Sequence, residues 1–282
     1  MQILKEKQSL KKQIQAYKQA GLSVGFVPTM GALHQGHISL IQKALSLCDK
    51  VVVSIFVNPT QFDNPDDLEK YPRNLEEDVQ RIKALSDEVI IFSPAANEIY
   101  GNNVVSEEFS FDGLEHQMEG RFRKGHFNGV GTIVKKLFEM VQPDKAFFGE
   151  KDYQQLQIIK KLVEKHHLEV EIIGCPIDRE ISGLARSSRN ERLTPDQRQS
   201  ASVIYQILKQ VKDDFGTKSA SDLTAWVMKR FRQEPTLELE YFEIANADTL
   251  RPVQERKEGE KYRAFIAAYS GDIRLIDNIA LN

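Results

Sequence analysis

Short apolar runs alternate with amphipathic stretches along the first two thirds of the chain. Runs rich in Val, Ile and Phe predict buried strands, and apolar residues spaced three and four apart predict helices. The predicted strands cover residues 24–27, 51–57, 89–92, 145–149 and 170–174, and the predicted helices cover residues 9–20, 38–47, 74–85, 127–141 and 153–166. Weak alternation at residues 106–111 predicts an edge strand. Alternating strands and helices, with strands apolar on both faces, predict a parallel sheet.

The pattern changes after residue 177. Thr194 followed by proline predicts the start of a helix, and a turn at Gly271 predicts a hairpin. The predicted helices here cover residues 195–211 and 221–232, and the predicted strands cover residues 237–246, 262–269 and 273–278. We therefore expect a Rossmann-like, doubly wound α/β domain over residues 1–177 and a smaller α+β domain over residues 178–282.

Composition narrows the class of protein. The 282 residues carry a net charge of -3, so the broad basic face of a nucleic-acid-binding protein is not expected. Cys48 and Cys175 lie far apart in apolar segments and are predicted to be reduced. No apolar run approaches the roughly 20 residues that span a bilayer, and the first residues lack a signal-peptide pattern. We expect a cytoplasmic protein that binds no membrane.

Residues 28–37 (PTMGALHQGH) join the first predicted strand to the next helix, and we call this segment the histidine turn. Glycine lets a backbone approach a ligand closely, and the unpaired N–H groups of a helix N-terminus attract anions. His34 and His37 are three positions apart at the helix start, so both can face what binds there. The turn therefore predicts a phosphate site. Zinc binding is the alternative for a histidine pair, but cysteine partners are not close in sequence.

Polar residues also follow two other predicted strands. Asn58 and Gln61 follow the second strand, and Lys151 and Asp152 follow the fourth. The carboxyl ends of parallel strands meet at one edge of a doubly wound sheet, where ligands bind. Asn58 can also be an ordinary turn residue, and Asp152 can be a helix cap. Their occurrence together with the histidine turn favours a ligand site at this edge.

Three charged segments have less specific patterns. Ser187, Ser188 and Arg189 suit phosphate binding, since the guanidinium is planar and always charged, but a solvated loop has the same composition. The acidic residues 76–78 suit a helix start, with a metal site as the alternative in which Asp78 is the predicted ligand. Residues 119–126 are rich in charge and glycine, and are either a lid or an exposed loop.

Several motifs together resemble the pantothenate synthetase family, within the superfamily of nucleotidyltransferases with a HIGH-type motif. HQGH at residues 34–37 resembles that motif. The longer matches are PTMGALH, FVNPTQF, YPR, GHFNGV, FGEKDYQQ and GLARSSRN, which begin at residues 28, 56, 71, 125, 148 and 183. They occur in the family's order and spacing over about residues 24–193.

The resemblance implies an ATP-dependent ligase that condenses (R)-pantoate with β-alanine through a pantoyl adenylate. It also implies Mg²⁺, a homodimer, and two domains with the active site between them. Catalytic roles are implied for His34, His37, Lys151, Ser187, Ser188 and Arg189, with His37 as the catalytic acid. ATP contacts are implied for Met30, Gly31, Ala32, Leu33, His34, Gln35, Gly36, His37, Gly149, Glu150, Lys151, Asp152, Asp178, Arg186, Ser187, Ser188 and Arg189.

Pantoate contacts are implied for Gln61 and Gln155. Two positions depart from the family pattern: Lys124 stands where proline is common, and Asp178 stands where an apolar residue is usual.

Two other functions stay open: a different nucleotidyltransferase that uses the same motif, and a dimeric nucleotide sensor without turnover. Formation of AMP from ATP, pantoate and β-alanine distinguishes the three.

Overall fold

A computed structural model of the chain describes residues 1–62 and 65–282, and these form two compact units. Unit 1 comprises Met1–Glu115, Glu119–Glu150 and Gln155–Pro176, and unit 2 comprises His116–Met118, Lys151–Gln154 and Ile177–Asn282. Each unit buries a hydrophobic cluster of its own.

Unit 1 is built on a six-stranded parallel sheet covered by helices. The strands are β1 (Gln2–Leu4), β2 (Val24–Thr29), β3 (Lys50–Ile55), β4 (Ile90–Phe92), β5 (Lys145–Gly149) and β6 (Glu171–Cys175). The helices before residue 177 are α1 (Lys7–Gln19), α2 (Gln35–Leu47), α3 (Pro65–Lys70), α4 (Leu75–Leu85), α5 (Ala96–Tyr100), α6 (Met118–Phe122), α7 (His126–Val141) and α8 (Tyr153–His166). Val53 and Ile91 are fully buried, as expected for strands covered on both faces.

The order of strands across the sheet is β1-β4-β3-β2-β5-β6. From β2 the chain proceeds outward through β3 and β4, whereas β5 and β6 lie on the other side of β2. The sheet is therefore doubly wound, as predicted, with its topological switch point between β2 and β5. Ligands of such sheets bind at the carboxyl ends of the strands beside this point, and the histidine turn follows β2.

Unit 2 packs helices against a small antiparallel sheet. Its helices are α9 (Pro195–Ala201), α10 (Val203–Asp214) and α11 (Ala220–Phe231), and its strands are β7 (Glu238–Asn246), β8 (Tyr262–Ser270) and β9 (Ile273–Ala280). Strand β8 lies in the centre, paired with β7 and β9. Leu208 of α10, Val227 of α11 and Ile266 of β8 are completely buried in the cluster that joins these layers. The predicted α+β architecture is confirmed.

The predicted edge strand at residues 106–111 is wrong, because this segment has no strand in the structure. Side chains take its backbone donors instead. The N–H of Glu107 donates to Thr132 Oγ1 at 2.8 Å, and the N–H of Phe109 donates to Asn128 Oδ1 at 3.1 Å. Alternation in sequence reports which residues face inward, but it does not show whether a neighbouring strand supplies the acceptors.

The helix predicted at residues 195–211 is two helices, α9 and α10, that meet at Ser202. The hydroxyl of Ser202 donates to the carbonyl of Gln199 at 2.6 Å, and its N–H bonds to the same carbonyl. This tight turn breaks the regular α-helical ladder at that residue. The apolar periodicity continues across the break, so the pattern predicted one helix. Within the described ranges, no helix is long and apolar enough to cross a membrane.

Candidate active site

The histidine turn leaves β2 and enters α2 through a reciprocal cap. The backbone N–H of Gly36 donates to His34 Nδ1 at 3.1 Å, and the N–H of His34 donates to His37 Nδ1 at 3.3 Å. Each Nδ1 acts as an acceptor, so in the neutral imidazoles the proton is assigned to Nε2. The ring centroids are 4.1 Å apart. The cap thus fixes two adjacent Nε2–H donors, which suit phosphate oxygens.

Six backbone N–H groups of the turn, those of residues 31–34, 36 and 37, donate to acceptors within the protein. Gly31 donates to Thr29 Oγ1 at 3.2 Å, and Ala32 and Leu33 both donate to Asp78. Those of residues 34, 36 and 37 serve the cap and the first turn of α2. The expectation of unpaired amides at the helix N-terminus is therefore wrong for Gly36 and His37, whose N–H groups have acceptors within the protein. The imidazoles are its better placed anion donors.

Asp78 projects from the first turn of α4 and is 2% exposed. Its Oδ1 accepts the N–H of Leu33 at 2.7 Å, and its Oδ2 accepts the N–H of Ala32 at 3.0 Å. Burial raises the pKa of the Asp78 carboxyl above its ordinary value, and the two backbone hydrogen bonds oppose that rise. The carboxylate therefore holds the histidine turn directly.

Gln61 lies beside the histidine turn, in a short 3₁₀ helix that follows β3. Its Nε2 donates to the sulfur of Met30 at 3.0 Å, and its Oε1 accepts from Asn58 Nδ2 at 3.1 Å. Asn58 is 1% exposed, and its Oδ1 accepts the hydroxyl of Tyr100 at 2.5 Å. The orientation of the Gln61 amide is thus set by a buried chain that begins at Tyr100.

His126 supports the same 3₁₀ helix from the start of α7. Its Nδ1 lies 2.8 Å from the carbonyl oxygen of Gln61, and its Nε2 lies 3.2 Å from Arg123 Nη1. Arginine can only donate, so Nε2 accepts and Nδ1–H donates to Gln61. His126 is 7% exposed, so this end of the predicted lid segment at residues 119–126 is built into the core of unit 1.

Two other predicted site segments also belong to unit 1. Gly149 ends β5, and Glu150 opens the 3₁₀ turn that follows it, so both lie at the carboxyl end of the strand on the other side of the switch point. Gln155 is half-buried in the first turn of α8. Unit 1 therefore brings the histidine turn, Gln61 and Asp78 into contact and places Gly149 on the adjacent strand.

Lys151 and Asp152 belong to unit 2. Lys151 Nζ lies 3.9 Å from Asp152 Oδ2, and the carbonyl of Lys151 accepts Asn278 Nδ2 at 2.9 Å. Asn278 is 2% exposed, and its Oδ1 accepts Arg263 Nη1. Strand β9 thus fixes the backbone from which the Lys151 ammonium projects.

The serine–arginine loop lies elsewhere in unit 2. Ser187 caps a 3₁₀ helix (Ser188–Arg192), and its Oγ accepts the N–H of Arg189 at 3.2 Å. Arg186 Nε pairs with Asp178 Oδ2 at 3.0 Å, and the N–H of Arg186 donates to the Asp178 carbonyl at 3.0 Å. Asp178, which departs from the family pattern, therefore forms an ion pair with Arg186 and offsets its charge.

Sequence reasoning did not single out Tyr100 or Asn278, and it treated Asn58 mainly as a turn residue. Tyr100 ends a five-residue helix, and Asn278 lies in the last strand. Neither has a local motif, because each acts on a residue far away in the sequence. Among the residues that the structure describes, no group of three or more His, Cys, Asp or Glu side chains could hold a metal ion.

Comparison with known protein families identifies the class of enzyme to which the chain belongs. The model of the family described as Pantoate-beta-alanine ligase matches residues 2–280. The chain therefore belongs to the pantoate-beta-alanine ligase family, and it is an enzyme of the ligase class.

Three similar proteins that match over the full length of the chain are all named pantothenate synthetase. The pantothenate synthetase of Christiangramia forsetii is 60% identical over 282 residues, which is 100% of both chains. That of Flavobacterium psychrophilum is 54% identical over 280 residues, or 99% of each chain. The crystal structure of pantothenate synthetase from Thermus thermophilus superposes with a TM-score of 0.90 at 35% identity, covering 100% of this chain and 99% of that one.

A further solved structure carries ligands. The pantoate-beta-alanine ligase of Francisella tularensis, described as complexed with beta-gamma ATP and beta-alanine, superposes with a TM-score of 0.81 at 39% identity. The match covers 100% of this chain and 98% of that chain. The predicted family and fold class are confirmed.

Proposed function

We propose that this chain condenses (R)-pantoate with β-alanine at the expense of ATP, giving pantothenate, AMP and pyrophosphate. The observation that carries the proposal is the pair of Nε2–H donors of His34 and His37, fixed beside the switch point of the sheet. The family membership of the chain and the ATP and β-alanine described for the Francisella relative support it.

The first half-reaction activates the carboxylate of pantoate, which is a poor electrophile because oxide is a poor leaving group. One carboxylate oxygen attacks the α-phosphorus of ATP, and the bond to the bridging oxygen of pyrophosphate breaks. Negative charge builds up on the phosphate oxygens during this displacement. We propose that the imidazoles of His34 and His37 donate to those oxygens, which is the positioned electrostatic stabilisation that phosphoryl transfer depends on.

Cations and hydroxyls of unit 2 have complementary roles in the proposal. Lys151 and Arg189 neutralise the triphosphate, and Ser187 and Ser188 contribute hydroxyl donors. The remaining ATP contacts are assigned to Met30, Gly31, Ala32, Leu33, Gln35, Gly36, Gly149, Glu150, Asp152, Asp178 and Arg186. Gln61 and Gln155 bind pantoate, since an amide can donate to its carboxylate and hydroxyl groups.

The second half-reaction forms the amide bond. The amine of β-alanine attacks the acyl carbon of pantoyl adenylate, the amine loses a proton, and AMP leaves. The mixed anhydride hydrolyses readily, so water has to be excluded between the two steps. No covalent bond to the protein is needed.

Mg²⁺ is part of the proposal only as a partner of ATP. The described side chains provide no dedicated cluster for a metal, and both Asp78 oxygens are engaged by backbone amides. Mg²⁺ binds readily through phosphate oxygens and water with few protein ligands. The assignment of Asp78 as a metal ligand stays a prediction, which the Asp78→Asn variant described below tests against a positioning role.

The deciding experiment incubates the purified chain with ATP, Mg²⁺, pantoate and β-alanine and measures AMP and pantothenate together. We expect equal amounts of both, no AMP when pantoate is omitted, and ATP–pyrophosphate exchange with pantoate alone. Nucleotide transfer to another acceptor would support a different nucleotidyltransferase, and ATP binding without AMP formation would support a sensor. The family resemblance also supports a cytoplasmic homodimer, and light scattering after size exclusion tests the dimer.

A further inference from the structure

The histidine turn has a strained backbone at its centre. Gly31 has φ +83° and Ala32 has φ +50°, so two consecutive residues lie in the left-handed region. For alanine this conformation is unfavourable, and it persists only where surrounding contacts enforce it. Leu33 and His34 follow directly. The strained Gly31–Ala32 segment therefore sets the direction in which the chain leaves β2 toward the capped histidine pair.

One side chain makes two of the contacts that hold the Gly31–Ala32 segment, in addition to the hydrogen bond from the N–H of Gly31 to Thr29 Oγ1. Asp78 accepts the N–H groups of Ala32 and Leu33 on its two separate oxygens, at 3.0 and 2.7 Å. Hydrogen bonds from N–H groups to a carboxylate are about twice as strong as those between neutral groups. Asp78 is 2% exposed, so water does not compete strongly for these oxygens.

The fit between the turn and Asp78 is close. A Cβ atom added to Gly31 would lie 3.0 Å from Asp78 Oδ2 and 3.2 Å from Ile55 Cγ2. The carboxylate therefore lies against the inner side of the turn, where a Cβ atom at position 31 would have to displace it by a few tenths of an ångström. The two converging N–H donors each meet a separate oxygen, and a carboxylate provides two such acceptor oxygens in one plane.

We infer that Asp78 is a positioning residue that holds the histidine turn in the conformation presenting His34 and His37, and that it acts through these amides and not as a metal ligand. The catalytic part of this inference rests on the proposed function. The structural part does not, because it concerns only how the turn is held.

The test compares Asp78→Asn with the wild-type chain. Asparagine keeps the shape but places an NH₂ group against one of the two N–H donors, so one hydrogen bond is replaced by a repulsive contact. Glu76→Gln is the matched control, since it removes the same charge from an exposed position in the same turn of α4. Thermal unfolding of each variant verifies that it folds.

The first readout is hydrogen exchange at the amides of Ala32 and Leu33. We expect these amides to exchange about tenfold faster or more in Asp78→Asn and at the wild-type rate in Glu76→Gln. Unchanged exchange in Asp78→Asn overturns the inference, whatever the activity. This readout stands even if the chain forms no AMP.

The second readout is the rate of pantoate-dependent ATP–pyrophosphate exchange as a function of pantoate and Mg²⁺. Misplacement of the histidines should lower kcat by about 10- to 100-fold and leave the KM for pantoate nearly unchanged. The Mg²⁺ dependence should not shift. A metal ligand gives the opposite result, in which the Mg²⁺ requirement rises and high Mg²⁺ restores the rate.

Gly31→Ala provides a second variant that leaves the carboxylate in place. The added methyl group lies against Asp78 and strains the turn further, so we expect the same faster exchange at Ala32 and Leu33 and the same loss in kcat. Wild-type exchange and wild-type kcat in Gly31→Ala would contradict the close fit on which the inference depends.

Discussion

At the scale of single residues, the proton positions on the histidines are set by the backbone. The N–H groups of Gly36 and His34 occupy both Nδ1 atoms, so the protons are on Nε2 before any ligand arrives. A preorganised donor costs no rearrangement when charge develops on a phosphate. His126 shows the same logic with the opposite outcome, because Arg123 occupies its Nε2 and leaves Nδ1–H for the Gln61 carbonyl.

His37→Ala should lower the rate of adenylate formation by about 10²-fold or more, the usual scale for one positioned stabiliser. Pantoate-dependent ATP–pyrophosphate exchange measures this step. His166→Gln, at the exposed end of α8, is the control and should retain the wild-type rate. Near-normal exchange in His37→Ala would remove His37 from the catalytic set.

Asp49 gives a pH-dependent prediction of stability. Its Oδ2 accepts the hydroxyl of Ser23 at 2.6 Å and the N–H of Ser23 at 2.9 Å, and these bonds hold the pKa of Asp49 below its ordinary value. A carboxyl with a lower pKa in the folded state stabilises that state above the unfolded pKa of about 3.9 and loses this contribution as pH falls through the folded value.

We therefore expect Asp49→Asn to unfold at lower urea concentration than the wild-type chain at pH 7. The difference should shrink as pH falls below about 4. Asp87→Asn, at another exposed position, controls for the loss of one surface charge. A difference that is the same at pH 7 and pH 3 contradicts the assignment.

At the scale of elements, α7 and the 3₁₀ helix after β3 (Pro59–Gln61) fit together through glycine. A Cβ on Gly129 would lie 2.2 Å from the carbonyl oxygen of Thr60, so only glycine permits this approach. The same approach lets the Gly129 carbonyl accept Asn58 Nδ2 at 3.2 Å. The element carrying Gln61 is thus held between β3, α5 and α7.

Tyr100→Phe tests the buried chain that orients Gln61. Loss of the hydroxyl leaves Asn58 Oδ1 with only the Thr60 hydroxyl, at 3.1 Å, and should cost about 1 kcal/mol. We expect the KM for pantoate to rise about fivefold with a smaller change in the KM for ATP. Steady-state kinetics measures both.

Tyr17→Phe, on α1, is the matched control and should leave both KM values unchanged. A larger effect of Tyr100→Phe on ATP than on pantoate would show that the chain from Tyr100 serves the nucleotide instead of the proposed pantoate contact.

At the scale of the whole molecule, each unit has a buried core of its own, with hydrogen bonds or ion pairs between residues distant in sequence. In unit 2, Arg179 forms a two-pronged ion pair with Asp277, at 2.6 and 2.9 Å, across 98 positions of sequence. The Asp277 side chain is 4% exposed, and Arg179 also stacks on Tyr205 at 3.8 Å. This pair connects the beginning of the segment Ile177–Asn282 to the last strand of unit 2.

Asp277→Ala leaves the Arg179 guanidinium without its buried partner and should lower the free energy of unfolding by about 3–5 kcal/mol. Asp272→Ala is the control, because Asp272 pairs with Arg192 at a largely exposed position and should cost less than about 1 kcal/mol. Urea unfolding measures both variants. Equal small effects would show that the buried pair does not stabilise unit 2.

The sequence by itself determined the elements and their type wherever local physics dominates. Periodicity identified the main strands of the parallel sheet except β1. Thr194 and Gln197 form the N-terminal cap of α9, at the helix start that Thr194 followed by proline predicted. The histidine turn was found from its residues alone, because a strand, two glycines and a helix start fix its position. The motif resemblance then gave the family.

Only the tertiary structure decided which residues from distant parts of the sequence are in contact. It placed β1 beside β4, gave the N–H groups of Glu107 and Phe109 to side chains, and occupied the amides of Ala32 and Leu33 with Asp78. It also connected Tyr100 to Gln61 through Asn58. The physical reason is that periodicity and caps reflect interactions within a few residues. A buried hydrogen bond between distant segments depends on packing, for which the local sequence carries no signal.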